Sequence, residues 1–225
     1  MKKNLIFIMA IMFAFSTVSF AQNAKDISKE RKEITKLSKA ELNSKANKAA
    51  RKEAKKLTKE GWTTTPGALP LEKQLDKSYL MQYEYDETFY PKYIMAEAMS
   101  IGENYDAAKM QALELAKQNL AGQIQTEVTA LIENTVANRQ LAADEAASIT
   151  ESVLASKNLI SQSLGRVIPV VEVYRTKSPS KNKEVLIRIA YNSDMAKEAA
   201  KQAIRKDLEQ KGNKLHDQLD KVLGF

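Results

Sequence analysis

Between Tyr79 and Tyr93 the chain reads YLMQYEYDETFYPKY, which sets six aromatic rings among the carboxylates of Glu84, Asp86 and Glu87. Aromatic rings stack on flat apolar partners, and carboxylates accept hydrogen bonds or transfer protons. Glycoside hydrolysis needs two carboxyls held roughly 5–10 Å apart across a cleft, and a small domain of long helices leaves little room for one. The same oxygens could hold a hard cation, but the ligand rhythm of an EF-hand is absent. One reading left is a surface for a small ligand, a carbohydrate or peptidoglycan fragment, built from Tyr83, Tyr85, Phe89 and Tyr90. The competing reading packs these rings along the domain and turns the acids to water. Trp62, the only tryptophan, either joins that surface or tucks against the domain as a plug.

Other chemistry is scarce. His216 is the only histidine and sits in the terminal helix beside Asp217, where an exposed helical histidine is expected rather than a triad member; with no second histidine and no cysteine, a histidine-cluster zinc site and a thiol nucleophile cannot be assembled. Gly102 lies between an apolar run and an alanine-rich helix, where a phosphate-holding turn could form. One glycine is far weaker than GxGxxG or GxxxxGK[ST], and Glu103 and Asp106 beside it oppose an anion. No catalytic residue, cofactor or metal ligand is expected. The chain reads as a non-enzyme.

The elements that would position these residues follow from periodicity. Tyr93 to Ile101 alternates as a strand, with Ile94, Ala96 and Ala98 on one face and Met95, Glu97 and Met99 on the other. Asn104 is placed to cap a long helix whose stripe is Ala108, Ala112, Ala116, Leu120, Ile124, Val128 and Leu131. A second helix begins around Ala142 to Asp144, and Gly165 stands where a C′ glycine belongs. RVIPVVEVYR is strand-like, but Pro169 removes a donor and argues for an edge or bulge. EVLIRIAY is an alternating strand with Val185, Ile187, Ile189 and Tyr191 on one face. Asn192-Ser193-Asp194 caps a last helix, with Met195, Ala199, Ala203, Leu208, Leu215, Leu219 and Val222 on its stripe and Gly212 expected to kink it. The expected fold is α+β: a small antiparallel sheet of about three strands in the order β-α-α-β-β-α, covered on one face by long helices.

Ahead of this lies a basic helical arm. Residues 22–60 hold thirteen Lys/Arg against six Asp/Glu, a net +7, whereas residues 61–225 carry −2. Asp26 to Lys59 lacks Gly and Pro and reads as one solvated helix with a weak docking edge, a coiled coil or membrane-lying helix being the alternatives. Gly61-Trp62 ends it, and TTTPGALP is a linker. The first residues have the three parts of a secretory signal peptide: Lys2 and Lys3, the apolar run LIFIMAIMFAF, and Ser19-Phe20-Ala21 before a cut at Ala21/Gln22. The apolar run is too short to span a membrane, and no later stretch approaches that length. The expected organisation is 1–21 signal peptide, 22–60 basic helical arm, 61–92 linker and aromatic segment, and 93–225 α+β domain.

The strand ending in glycine (AMSIG), the helix AAKMQALELAKQNLAGQI, the second helix running into LGRVIPVVEVYR and the closing strand EVLIRIAY resemble the lipoprotein 20 family of bacterial envelope proteins. The stretch, about 93–191, is also similar to the N-terminal domain of a flagellar assembly protein. That resemblance implies an exported, envelope-associated, non-enzymatic α+β domain, and it supplies no catalytic residues. This chain departs from the family in lacking the lipid-anchoring cysteine. The expectation is an exported periplasmic or envelope protein that acts through protein or surface contacts. Those contacts would be with an envelope protein or a second copy through helices 26–59 and 194–223, or with an anionic surface component. Export argues against nucleic acid as the target of the basic arm.

Overall fold

The computed structural model describes residues 26–37, 39–40, 43–137 and 143–210, so the expected signal peptide, Gly212, His216 and the Leu215, Leu219 and Val222 part of the last helix stripe lie outside the described residues. The chain divides into two compact units, Met1–Lys45 and Ala46–Phe225. In the first unit, residues 26–37 are helical (α1), and Ile27, Ile34 and Leu37 are exposed. The elements of the second unit are α2 (Lys48–Lys59), α3 (Leu71–Gln82), β1 (Tyr93–Gly102), α4 (Tyr105–Ala137), α5 (Ala143–Ala155), α6 (Lys157–Ser163), β2 (Ile168–Thr176), β3 (Lys183–Asn192) and α7 (Ser193–Gln210).

The three strands form one antiparallel sheet in the order β1-β3-β2, so the fold is α+β. Alternation fixes its two faces. Val185, Ile187, Ile189 and Tyr191 of β3 and Ile94 and Ala96 of β1 turn to one face, where α4, α5, α6 and α7 close the main core. Ala108, Ala112 and Ala116 are fully buried there, and their small side chains let α4 lie close on the sheet. On α7 the buried stripe is Ala196, Ala199, Ala200, Ala203, Ile204 and Leu208; Met195, expected on it, is exposed. As far as α7 is described, its apolar face is therefore used inside the core, which leaves little of it for a partner.

The second face of the sheet is covered as well. Val171, Val173 and Leu186 pack with Ala50 and Ala54 of α2, Leu71 and Leu75 of α3, and Trp62. Half of the expected solvated arm is thus structural. The expected single helix 26–59 is also interrupted. Asn47 stops and restarts it, with its side chain accepting from the Ala50 N–H at 2.8 Å while Asp76 of α3 accepts from the Asn47 backbone N–H at 3.1 Å. A side-chain cap competes with helix continuation wherever a tertiary partner rewards it.

Several local expectations hold in detail. Gly61, at φ +87°, ends α2: the Gly61 N–H donates to Thr58 and the Trp62 N–H to Leu57, the paired bonds of a Schellman motif. Asn104 caps α4 by accepting from the Ala107 N–H at 2.9 Å, and Asn192 caps α7 through the Met195 N–H at 3.0 Å. β2 is an edge strand with a register shift between Pro169 and Val171. Gly165 is not a helix cap. α6 ends at Leu164, which is extended, and the Gly165 N–H instead donates to the Tyr191 hydroxyl at 3.2 Å.

Candidate functional site

The aromatic segment leaves α3 at Tyr83 and becomes a hairpin over residues 84–92. The Lys92 N–H donates to the Glu84 carbonyl and the Asp86 N–H to the Tyr90 carbonyl, each at 2.9 Å, and Tyr85 bridges Pro91. Asp86 organises the turn. One carboxylate oxygen accepts from the Thr88 N–H at 2.8 Å, the Thr88 hydroxyl at 2.7 Å and the Tyr90 N–H at 2.9 Å. Those bonds, the Thr88 hydroxyl first, hold its pKa below the ordinary 3.8. At the base, Lys92 and Glu84 form an ion pair at 2.6 Å, the Ser193 N–H donates to the Lys92 carbonyl at 3.0 Å, and the Ser193 hydroxyl donates to the Pro91 carbonyl.

The carboxylates nearest the rings are therefore already engaged: Glu84 neutralises a lysine and Asp86 shapes the turn. Glu87 is exposed. Among the described residues no group of three or more His, Asp or Glu is arranged to hold a metal ion.

The rings divide. Tyr83 is 69 % exposed, Tyr85 52 % and Phe89 87 %, and Leu80 at the end of α3 adds a further exposed apolar side chain. Phe89 has φ +62°, a left-handed conformation rare for a bulky residue, so the turn holds its ring outward against local preference. Tyr90 turns inward. It is half-buried, its hydroxyl donates to Glu127 of α4 at 2.8 Å, and Lys197 of α7 sits 4.4 Å from its ring centre. Burial first, and then the Glu127 carboxylate, push its pKa up to about 12. Tyr90 anchors the hairpin to the two helices rather than presenting a surface.

Trp62 does not share this surface. It is 5 % exposed and lies beneath Arg175, whose guanidinium carbon is 4.4 Å from its ring centre. Arg175 in turn pairs with the buried Glu184 at 2.6 Å and donates to the Glu60 carbonyl at 3.1 Å. Glu184 is at the start of β3, whereas the hairpin meets the sheet where Tyr93 pairs with Asn192. Eight residues of strand separate the two, roughly 26 Å. The tryptophan is a plug.

Gly102 is a joint. A Cβ there would lie 2.7 Å from the Ala108 backbone nitrogen, and the Ser100 hydroxyl donates to the Ala108 carbonyl at 2.6 Å. In the first turn of α4 the Ala107 N–H is taken by the Asn104 side chain, and Asp106 in that turn opposes an anion.

The structure thus brings Tyr85 and Phe89 into one hairpin, with Tyr83 just before it at the end of α3, and sets Tyr90 and Trp62 to other work. Leu80 and the organising role of Asp86 were missed from sequence, although Asp86-Glu87-Thr88 carries the Asx-turn pattern that could have revealed the latter. No protein-family model, curated protein or solved structure matches the chain.

Proposed function

We propose that this chain is an exported, envelope-associated protein of the lipoprotein 20 type that works by contact rather than by catalysis. The hairpin tip is its contact surface. The observation that carries the proposal is Phe89, the most exposed of the large apolar side chains among the described residues, held outward at positive φ in the same segment as exposed Tyr83 and Tyr85. Exposed aromatics held on a fixed turn lose little conformational freedom when they dock. The basic residues of α1, with Ile27, Ile34 and Leu37 exposed among them, supply a second contact suited to an anionic envelope component. Among the described residues no helix is long and apolar enough to cross a membrane, so attachment in this reading is peripheral.

The test is fractionation of cells expressing the wild type or the Tyr83→Ser/Tyr85→Ser/Phe89→Ser variant. Both should fold with the same circular-dichroism melt, because the three side chains are exposed. The variant should move from the envelope pellet to the soluble fraction, and equal pelleting of the two would sink the hairpin's role. A second reading takes the same rings as a stacking platform for a sugar, with exposed Glu87 accepting hydroxyl hydrogen bonds. Titration with soluble peptidoglycan fragments separates the two. Saturable binding lost in the triple variant supports the sugar, and its absence together with lost pelleting supports a macromolecular contact.

A further inference from the structure

The two edges of the sheet are treated differently. On β2, Pro169 and the adjoining register shift disturb one end. Gln74 then accepts from the Glu172 N–H at 2.7 Å, and Thr63 exchanges two backbone bonds with Tyr174 at 2.9 Å each. Such devices stop a strand edge from pairing further. Among the described residues β1 carries one of them, the Asn119 side chain on the Glu97 carbonyl. Its ten residues contain no Pro, Lys or Arg, and its register with β3 runs unbroken from Tyr93 to Gly102.

Which of its backbone groups point outward can be worked out. The Glu97 carbonyl accepts from the Asn119 side chain of α4 at 2.9 Å, so Glu97 faces away from β3. In an antiparallel ladder a residue's N–H and C=O point the same way and alternate along the strand. Met95, Met99 and Ile101 therefore also present both groups outward, and among the described residues no hydrogen bond reaches them from that side. The side chains of Met99 and Ile101 are 48 % and 40 % exposed.

The space beside this edge has walls. α4 runs along it with Leu115, Asn119 and Gln123 at helical spacing, and Leu115 is exposed. At the Met95–Glu97 end, Tyr79 and Gln82 of α3, Gln123 of α4 and the Glu97–Arg188 ion pair line a groove of about 330 Å³. Amide side chains and open peptide groups together suit a polypeptide backbone as ligand.

We propose that the outer edge of β1 takes up one extended segment of a partner protein as a fourth strand. Its alternate side chains would lie on Met99 and Ile101 on one face and on Leu115 on the other. Glu97 is neutralised by Arg188, but exposed Glu103 stands at the end of the edge, which carries no lysine or arginine of its own, so the segment is apolar with a basic rather than an acidic neighbour at that end. A second copy paired edge to edge is the alternative occupant, and the concentration dependence of protection distinguishes it. This inference rests on the sheet edge and is independent of the hairpin.

The test is amide hydrogen exchange on the full-length mature chain, with the octapeptide acetyl-Lys-Thr-Val-Thr-Val-Thr-Val-Lys-amide as probe. Without peptide, the Met99 and Ile101 amides should exchange at least about tenfold faster than those of Ala98 and Ser100, which bond to β3. Added peptide should slow them by a similar factor. Met99→Pro, which removes only an outward donor, should abolish that effect while amide protection in β2 and β3 persists. Two results would overturn the proposal. One is no slowing at millimolar peptide. The other is protection of Met99 and Ile101 in the peptide-free chain, whether at all concentrations or rising with concentration, which would assign the edge to the chain's own residues or to a second copy.

Discussion

The Asp86 carboxylate accepts its bonds most strongly when charged, whereas the Tyr90 hydroxyl donates to Glu127 only when protonated. The Asp86 pKa is lowered below 3.8, so its contribution is complete above about pH 4 and is lost as the pH falls through the folded value. The Tyr90 pKa is raised from 10.0 to about 12, so its contribution is complete below pH 10 and disappears as the pH rises through 12. Between those limits the hairpin is held from inside and from below. An ultraviolet phenolate titration should contain a late component near pH 12 that Tyr90→Phe removes. Loss of a component near pH 10 instead would mean that the bond to Glu127 does not form. The identity of the organising residue was legible in Asp86-Glu87-Thr88, where an Asx turn needs only local geometry. Tyr90 could not be told apart from Phe89 by type or spacing, because Glu127 is 37 residues away.

Elements were more legible than residues, because caps and periodicity are written locally. The β1–α4 joint illustrates both sides of this. The strand, the Asn104 cap and the alanine stripe follow from alternation, side-chain oxygen and spacing. The need for glycine at 102 does not, since it arises from the approach of the Ala108 backbone. Gly102→Ala should destabilise the protein by about 1–3 kcal/mol, the usual cost of forcing a methyl group into backbone. Urea denaturation measures it, and a change under about 0.5 kcal/mol would show that the joint has slack. The break at Asn47 was hidden for a related reason. Asparagine is only a mediocre helix former, and the decision to cap rather than continue is rewarded by Asp76 on another helix.

For the molecule as a whole, the placement of α2 changes what the basic arm is. Residues up to Lys45 belong to one unit, while Ala46, Ala50 and Ala54 are buried beneath the sheet with Trp62. Deleting residues 22–45 should leave the unfolding free energy of the remaining chain unchanged within about 0.5 kcal/mol. Deleting residues 22–62 strips α2 and the tryptophan from the second face. It should cost at least about 3 kcal/mol, the scale of removing one large buried side chain. Thermal and urea melts of the two truncations decide this, and equal stability would mean that the second face does not need its cover.

By itself, the sequence determined the α+β class, the three strands with their inward faces, and most helix ends, because alternation, capping and glycine stops act over a few residues. It also placed Pro169 at an edge. Only the tertiary structure decided which of those pieces share a surface. It put Trp62 at the opposite end of the sheet from Tyr83, Tyr85 and Phe89, covered the second face with half of the basic arm, and closed the β2 edge with Thr63 and Gln74, whereas among the described residues only Asn119 reaches the β1 edge. Each of those outcomes joins residues far apart in the chain. No local pattern encodes such a choice; it follows from which contacts bury the most apolar surface while leaving the fewest backbone groups without partners.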